Sequence, residues 1–228
     1  MPQPTVYIIN RNRVTSLRRL VKWLLEANTD RVVILDNASD YPPLVDYYEH
    51  EMPKEVDLVY VNENLGPHSL YKLGLVEEEK RDYIMTDSDV VPSECCPKDL
   101  ITKMQEVLAR HANRCKCGPS LRTDNIPDTV PWKDRLIREN ADFWRTRLDH
   151  ECFAAAIDTT FALYRYGRWA GPDPAAGIRL DFPYVAEHLP WYVYPLTEEE
   201  IYYAKTSLPP PISHIRKFWQ IEGVAEVM

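Results

Sequence analysis

Four short apolar strands alternate with helical segments over the first 91 residues, and this alternation restricts the fold more than any other feature. The predicted strands cover residues 5–10, 31–35, 56–61 and 83–86. Strands that alternate with helices form parallel sheets through right-handed crossovers. Ligands of such sheets bind beyond the carboxyl ends of the strands. We therefore predict an α/β fold with a mostly parallel central sheet flanked by helices, and a binding site at one edge of that sheet.

Two carboxylates one residue apart follow the fourth predicted strand, in the sequence Asp87-Ser88-Asp89. A turn at a strand end can direct both acids at one hard cation, and substrate phosphates then fill the remaining coordination positions of Mg²⁺ or Mn²⁺. A turn exposed to solvent would explain the same residues without a metal. Because the triplet ends a buried strand, we predict that Asp87 and Asp89 bind Mn²⁺ or Mg²⁺.

Polar side chains also follow the other predicted strands. Asn10 and Arg11 follow the first strand, and Asp36 and Asn37 follow the second. Asp36 is placed to accept a hydrogen bond from a pyrimidine N3–H or a ribose hydroxyl, although a helix-capping role would explain it as well. Asn10 and Arg11 are placed to flank a base, and for Arg11 a role on a basic surface remains open. Their position makes these four residues candidates to bind a ligand, and the family resemblance described next implies that the ligand is a nucleotide.

Four segments, in this order, carry a family resemblance: Asn10-Arg11-Asn12-Arg13, Leu35-Asp36-Asn37-Ala38-Ser39, Asn62-Glu63-Asn64-Leu65-Gly66 and Thr86-Asp87-Ser88-Asp89. They resemble the nucleotide-sugar half of family 2 glycosyltransferases with the GT-A fold, and in particular the small bacterial members. The resemblance covers residues 5–91 and continues more weakly through residues 157–165 and 186–192. One α/β domain is normal for 228 residues. We expect a single GT-A domain over residues 1–228, with a nucleotide-sugar half at about 5–114 and an acceptor half at about 115–228.

The resemblance implies a metal-dependent inverting glycosyltransferase. Such an enzyme would move a sugar from a nucleoside diphosphate-sugar, with a UDP-sugar favoured, to a hydroxyl of a carbohydrate or another acceptor. One alternative is a nucleotidyltransferase, which normally carries a glycine-rich loop after the first strand; residues 10–14 contain no glycine. The other alternative is a non-catalytic module that binds a nucleotide or a sugar with the help of a cation.

The turn Asn64-Leu65-Gly66 resembles the Asn-x-Gly segment of the family. Gly66 would allow a positive φ or a close approach of the backbone to the nucleotide. A plain strand-to-helix turn explains the same glycine. The resemblance implies that Asn64, Gly66 and Ser88 belong to the nucleotide site, although the residues after Gly66 depart from the common family pattern.

The resemblance also implies a catalytic base and a further metal ligand. Inversion requires a carboxylate that takes the proton of the acceptor hydroxyl. Asp158 follows an apolar segment, which favours a raised pKa, and Asp181 is the competing candidate, while the usual Glu-Asp pair of the family is absent. GT-A enzymes often use a late histidine as a metal ligand, which favours His188, with His214 in reserve. A partly buried structural histidine explains His188 equally well.

Composition restricts the partners and the location. The net charge of −8 argues against nucleic-acid polymers, which need a basic face. No apolar stretch reaches the ~18 residues of a membrane span, and the N-terminal residues do not resemble a signal peptide, so we expect a cytoplasmic protein. The sequence leaves open a peripheral membrane contact through residues 216–219 and a homodimer. Five cysteines lack the Cys-x-x-Cys spacing of zinc knuckles, and this favours reduced thiols without a metal.

Overall fold

The computed structural model describes residues 3–157, 160–168 and 176–207. In these residues nine strands form one sheet: β1 (Val6–Asn10), β2 (Val32–Asn37), β3 (Val56–Val61), β4 (Tyr83–Asp87), β5 (Val90–Pro92), β6 (Lys116–Leu121), β7 (Cys152–Ala154), β8 (Ala162–Tyr164) and β9 (Gly177–His188). The α-helices are α1 (Thr15–Glu26), α2 (Pro42–Asp46), α3 (Ser69–Lys72), α4 (Leu75–Glu79), α5 (Leu100–Arg110), α6 (Lys133–Asn140) and α7 (Glu198–Thr206). No helix in the described ranges is long and apolar enough to cross a membrane.

The strand order is β3-β2-β1-β4-β8-β6-β9-β5, and β7 pairs with β9. The first four strands are parallel, as the alternation predicts. The prediction of a mostly parallel sheet is wrong for the second half, where β8 is antiparallel to β4 and β6, and β5 and β7 are antiparallel to β9. Parallel neighbours need long crossovers, usually with a helix. No helix among the described residues separates β7, β8 and β9, so this half is mixed.

Helix α1 packs one apolar face on the sheet, as its periodicity predicts. Its residues Leu17, Leu20, Val21 and Leu24 are buried and belong to the main core together with Val6 and Ile8 of β1. Burying an aliphatic side chain of this size contributes about 1.5–3 kcal/mol. This packing holds the N-terminal end of α1 next to the carboxyl end of β1.

The helix that the sequence pattern predicts over residues 69–79 is broken into α3 and α4. Gly74 lies between them with a φ of 71°. A left-handed residue ends an α-helix, and glycine adopts this conformation at little cost. Gly66 has a φ of 74°, which confirms the positive φ expected for the turn after β3.

Helix α7 returns to the first helix of the chain and caps it. The N-cap residue of α1, Val14, makes no side-chain capping bond. Instead, the Glu199 carboxylate accepts hydrogen bonds from the Thr15 backbone N–H at 3.1 Å and from the Thr15 hydroxyl at 2.9 Å. A carboxylate at a helix N-terminus satisfies an unpaired N–H and complements the helix dipole. Glu199 therefore joins two helices that are far apart in the sequence.

We expect Glu199→Ala to lower the free energy of unfolding by about 0.5–2 kcal/mol, which is the usual cost of losing a helix cap. The matched control is Glu198→Ala, because Glu198 precedes it on the same helix and is exposed. An exposed substitution of this kind changes stability by less than about 0.5 kcal/mol. Chemical denaturation of both variants measures the difference, and equal losses would contradict the capping role.

Candidate active site

The polar residues predicted for the site meet at one edge of the sheet. The register of the parallel strands places Asn10 opposite Asp36, and Ile9 opposite Asp87. Strands β1, β2 and β4 end at Asn10, Asn37 and Asp87. The carboxyl ends of three parallel strands therefore bring an amide and two carboxylates to one edge.

A buried chain of hydrogen bonds links Asn10 to Asp36 through a tyrosine. The Asn10 amide donates to the Tyr48 hydroxyl at 2.8 Å, and that hydroxyl donates to Asp36 Oδ2 at 2.9 Å. Asp36 Oδ1 accepts from the Ser39 backbone N–H at 2.9 Å, which closes the turn after β2. Burial, and then the charge of Asp36, raises the pKa of Tyr48, so its hydroxyl stays protonated and donates. Asp36 is 1% exposed, and both of its oxygens already accept a hydrogen bond.

An exposed aromatic ring stands beside this chain. Tyr60 of β3 lies opposite Asp36 in the strand register, and it is 64% exposed. Its ring meets the Tyr48 ring edge to face, with the ring centroids 6.1 Å apart. Such a ring offers a flat apolar face to a planar ligand next to Asp36.

Arg11 and Asn12 tie the loop after β1 to the turn after β2 and to α7. The Arg11 guanidinium donates to the carbonyl oxygens of Asn37 at 2.6 Å, Ala38 at 2.8 Å and Thr206 at 2.8 Å. Asn12 has a φ of 49° and donates to the Thr206 hydroxyl at 2.8 Å. Arg11 thus binds three carbonyl oxygens of two backbone segments, and it lies at the strand ends where the sequence predicts it.

The remaining predicted nucleotide residues support the turns around this edge. Asn64 Oδ1 accepts from the Gly66 backbone N–H at 3.0 Å, and the Asn37 amide donates to the Gly66 carbonyl at 3.4 Å. Asn37 and Asn64 therefore fix the turn after β3 against the turn after β2. Ser88 is 2% exposed, and its backbone N–H donates to the Ile9 carbonyl at 3.1 Å.

A buried arginine joins three parts of the chain next to the acidic triplet. Arg13 is 2% exposed; its guanidinium forms an ion pair with Glu200 of α7, and its Nε lies 3.4 Å from Asp89 Oδ2. The Tyr203 ring covers the guanidinium at 4.0 Å. Burial raises the pKa of Tyr203, and the charges of Asp89 and Asp87 add to this against the opposing effect of Arg13.

His188 faces the other oxygen of Asp89. The antiparallel pairing of β5 and β9 places Val90 opposite His188, and His188 Nε2 lies 3.5 Å from Asp89 Oδ1. Burial by itself would raise the pKa of Asp89, but His188 and then Arg13 hold it at about 2. The carboxylate is therefore ionised at neutral pH although it is 7% exposed. The interpretation of the triplet as a turn exposed to solvent is wrong for Asp89.

Asp89 and His188 offer the donor atoms of a cation site. Among the described residues Asp89 Oδ1 and His188 Nδ1 are buried and have no hydrogen-bond partner. The nitrogen that lies 3.5 Å from Asp89 Oδ1 is His188 Nε2, the other atom of the ring, and Oδ1 and Nε2 fit two positions of a single divalent ion. Asp87 ends β4, and its charge acts on Tyr203. In the described ranges, the ligand atoms of Asp87, Asp89 and His188 do not all lie within 4.8 Å of one another. The residues fit Mn²⁺ or Mg²⁺ through Asp89 and His188, and Asp87 stays a predicted ligand.

The two predicted bases have different positions. Asp158 lies outside the described residues, and so does His214, the reserve metal ligand. Asp181 lies within β9, before His188, and its Oδ2 is 2.6 Å from the Arg147 guanidinium. Asp181 also borders a cavity of about 110 Å³ together with Lys103, Glu151 and Tyr184. The described contacts of Asp181 therefore join it to the second half of the sheet rather than to Asp89.

Several residues of the site have no role in the sequence prediction, among them Tyr48, Tyr60, Arg13, Glu200 and Tyr203. Tyr48 lies in a π-helical turn, Tyr47–Glu51, in a tyrosine-rich segment without a recognisable motif. Glu200 belongs to a helix-capping pattern, and its backbone N–H does donate to the Thr197 hydroxyl at 3.3 Å. The capping pattern explains a glutamate at position 200 without any contact to Arg13. The sequence therefore gives no sign of the buried ion pair between Glu200 and Arg13.

Comparison with known proteins identifies the fold. No protein-family model matches the chain, and no curated protein matches it. The structure is similar to the mannosyltransferase PcManGT from Pyrobaculum calidifontis in complex with GDP-Man and Mn²⁺, with a TM-score of 0.52, 15% identity and coverage of 89% of this chain and 60% of that chain. The chain has the fold of a glycosyltransferase. S. aureus TarS is a more distant match, with a TM-score of 0.44 and 15% identity over 72% of this chain and 47% of the TarS 1–349 fragment. This chain thus spans less than two thirds of the length of either.

We expect Tyr48→Phe to lower the free energy of unfolding by about 1–3 kcal/mol, because it leaves the buried Asn10 amide and Asp36 carboxylate without their shared partner. Tyr47→Phe is the matched control, since it removes a hydroxyl from the adjacent buried tyrosine and keeps the ring that Arg18 covers. Urea denaturation compares the two variants. A loss for Tyr48→Phe no larger than that for Tyr47→Phe would contradict the role of the hydrogen-bond chain.

Proposed function

We propose that this chain is a metal-dependent inverting glycosyltransferase that moves a sugar from a nucleoside diphosphate-sugar to an acceptor hydroxyl. A single observation carries the proposal. The carboxyl ends of β1, β2 and β4 hold Asn10, Asp36 and Asp87 at one edge, and β9 adds His188 at 3.5 Å from Asp89. The glycosyltransferase fold supports the assignment, and a family 2 relationship is part of the proposal.

The nucleoside binds at the ends of β1, β2 and β3 in this proposal. Asp36 and Asn10 form the polar floor, Tyr60 contributes the aromatic face, and Asn64 and Gly66 shape the turn beside it. Because Tyr48 already fixes the Asp36 carboxylate, little side-chain entropy is lost when a nucleoside binds. A UDP-sugar is the donor we propose first. The mannosyltransferase with the same fold binds GDP-Man, so the test includes guanine nucleotides.

The diphosphate binds next to Asp87, Ser88 and Asp89. A bound Mn²⁺ or Mg²⁺ supplies positive charge to the departing diphosphate. Asp89 is suited to hold such an ion because neighbouring positive charge, that of Arg13 included, lowers its pKa against the effect of burial and favours the ionised carboxylate. Arg13 holds the other oxygen of the same carboxylate and so fixes its direction. Asp89 is therefore oriented before any donor arrives.

The acceptor hydroxyl transfers its proton to a carboxylate as its oxygen attacks the anomeric carbon. The bond from that carbon to the diphosphate oxygen breaks, and the diphosphate leaves with the electron pair. We propose Asp158 as the base, with Asp181 as the competing residue. The Asp181 carboxylate is already paired with the Arg147 guanidinium, and its described contacts lie in the second half of the sheet rather than at Asp89.

We expect Asp89→Asn and His188→Gln to abolish most of the gain in nucleoside diphosphate affinity that Mn²⁺ provides. Losing an outer-shell partner of a metal ligand already costs about 10–100-fold in metal affinity, so losing a direct ligand should cost at least tenfold. Isothermal calorimetry with UDP, GDP, CDP and dTDP, with and without Mn²⁺, measures the effect. If Asp89→Asn destabilises the fold, His188→Gln alone tests the metal site. The His188 side chain is 17% exposed and that of Asp89 is 10% exposed, so the substitution of His188 should disturb the fold less.

The matched control for this experiment is Glu187→Gln. Glu187 is adjacent to His188 in β9, and its carboxylate accepts from the Asn125 amide at 2.8 Å. The substitution removes a charge one residue from the site and keeps the side-chain shape, so the Mn²⁺ dependence should persist. Unchanged Mn²⁺ dependence in both Asp89→Asn and His188→Gln would refute the metal assignment. Nucleotide binding without hydrolysis of any donor in a panel of nucleotide-sugars would point to a non-catalytic module.

We expect Asp158→Asn to reduce sugar transfer by about 10²–10⁴-fold, the usual contribution of a general base. The amide keeps the size of the side chain and cannot take a proton, so the affinity for the donor should change little. Asp181→Asn is the paired variant and should keep most of the activity. Loss of transfer in Asp181→Asn together with normal transfer in Asp158→Asn would exchange the two roles.

A further inference from the structure

Three metal-ligating side chains meet away from the proposed donor site. His111 follows α5, Cys152 begins β7, and Asp149 lies in the loop before β7. His111 Nε2 lies 3.0 Å from Asp149 Oδ2, Cys152 Sγ lies 3.3 Å from Asp149 Oδ1, and Cys152 Sγ lies 3.7 Å from His111 Nε2. This group, which we call the His-Asp-Cys cluster, has no part in the proposed transfer of a sugar.

We propose that the His-Asp-Cys cluster binds one Zn²⁺ ion. Bonds from zinc to nitrogen, oxygen and sulfur of about 2.0–2.3 Å place tetrahedral ligands roughly 3.3–3.6 Å apart. His111 Nε2 and Cys152 Sγ lie 3.7 Å apart, and the two oxygens of Asp149 lie 3.0 Å from Nε2 and 3.3 Å from Sγ, respectively. One ligand atom of each residue lies within 4.8 Å of the other two, so a small adjustment brings all three to that range. Imidazole and thiolate ligands favour zinc over Mg²⁺ or Mn²⁺, which bind oxygen. The cluster therefore differs in chemistry from the site at Asp89.

The same three residue types also occur in the catalytic triads of cysteine hydrolases, but the geometry here differs. In such a triad the nucleophile contacts one imidazole nitrogen and the carboxylate contacts the other. Here both Cys152 and Asp149 approach the Nε2 atom of His111. Cys152 is 0% exposed, so a substrate has no access to its sulfur. Convergence on one nitrogen fits ligands around an ion.

The charges and the exposure of the cluster permit an ion to enter. The His111 and Asp149 side chains are 20% and 25% exposed, which leaves access from solvent and a position for water as a fourth ligand. Burial, and then the hydrogen bond to Asp149, raises the pKa of Cys152 to about 12. Zinc binding therefore breaks the S–H bond, forms the S–Zn bond and releases the proton to solvent. The Arg110 guanidinium lies 3.4 Å from Asp149 Oδ2, so an ion that binds this oxygen would weaken the ion pair between Arg110 and Asp149.

A bound ion would join two segments that are separated in the sequence. His111 follows α5, whereas Asp149 precedes β7 and Cys152 begins it, 38 and 41 residues away from His111. Cross-linking such distant segments lowers the entropy of the unfolded chain, and the binding free energy adds to the stability of the folded chain. The ion would thus connect the end of α5 to the start of β7 and would keep one open coordination position.

Cobalt spectroscopy on the whole metal-free chain tests the site. Co²⁺ replaces Zn²⁺ in tetrahedral sites and reports a thiolate ligand by a charge-transfer band. We expect the thiolate band to saturate at one Co²⁺ per chain in addition to any Co²⁺ bound at Asp89, to disappear on addition of Zn²⁺, and the melting temperature to rise with Zn²⁺. His111→Ala and Cys152→Ser should each weaken Zn²⁺ binding by at least about tenfold.

Two matched controls separate this site from non-specific binding. Cys95→Ser removes an exposed thiol, and His150→Ala removes an imidazole that is adjacent to Asp149 and 86% exposed. Both controls should bind Zn²⁺ like the unmodified chain. If Cys152→Ser does not fold, His111→Ala and the spectrum of the unmodified chain decide the question.

Two outcomes would overturn the proposal. One is a Co²⁺ spectrum of the unmodified chain without a thiolate band, and the other is unchanged Zn²⁺ affinity in His111→Ala. The test is independent of sugar transfer, because Zn²⁺ binding should persist in His188→Gln. Zinc binding that His188→Gln abolishes would place the ion at Asp89 instead and would likewise refute the His-Asp-Cys site.

Discussion

The ion pairs of the buried Arg13 guanidinium hold the candidate site together. Arg13 lies in the loop after β1 and forms ion pairs with Asp89, which follows β4, and with Glu200 of α7. Taking a charge out of water costs several kcal/mol, and only close partners offset this cost. Two carboxylates and the Tyr203 ring supply these partners. Removing one partner from such a pair typically costs about 3–5 kcal/mol, so Asp89 and α7 depend on the same guanidinium.

The two halves of the sheet differ in how far the sequence predicts them. In the first half, strands of five or six residues and apolar helix faces have clear periods, and the four parallel strands agree with the prediction. In the second half, β5, β7 and β8 have three residues each, which is too short for a periodic pattern. The strands that β5, β7 and β8 pair with depend on packing between segments that are distant in the sequence. The pattern of residues 69–79 predicts one helix, and the structure has helix at Ser69–Lys72 and Leu75–Glu79 with a break at Gly74, which adopts a left-handed conformation.

The candidate site shows the same division. Asn10, Asp36, Asp87 and Asp89 could be predicted because strand ends in a parallel sheet share one edge. Tyr48 and Glu200 could not, since their roles arise from contacts with residues far along the chain. Glu200 pairs with a residue 187 positions away. Local patterns do not specify such contacts, and Glu200 already had a sufficient local explanation as part of a helix cap.

The Asp89 carboxylate would link the proposed donor site to the position of the last described helix. Its Oδ2 faces Arg13, and its Oδ1 faces His188. An ion bound at Oδ1 would share the Asp89 carboxylate with the Arg13 guanidinium. A rotation of that carboxylate would therefore alter both contacts. Because Arg13 is held by Glu200, and α1 is capped by the adjacent Glu199, the position of α7 determines the orientation of Asp89. A change that moves α7 should therefore alter the affinity for metal and diphosphate, although no residue of α7 needs to touch either one.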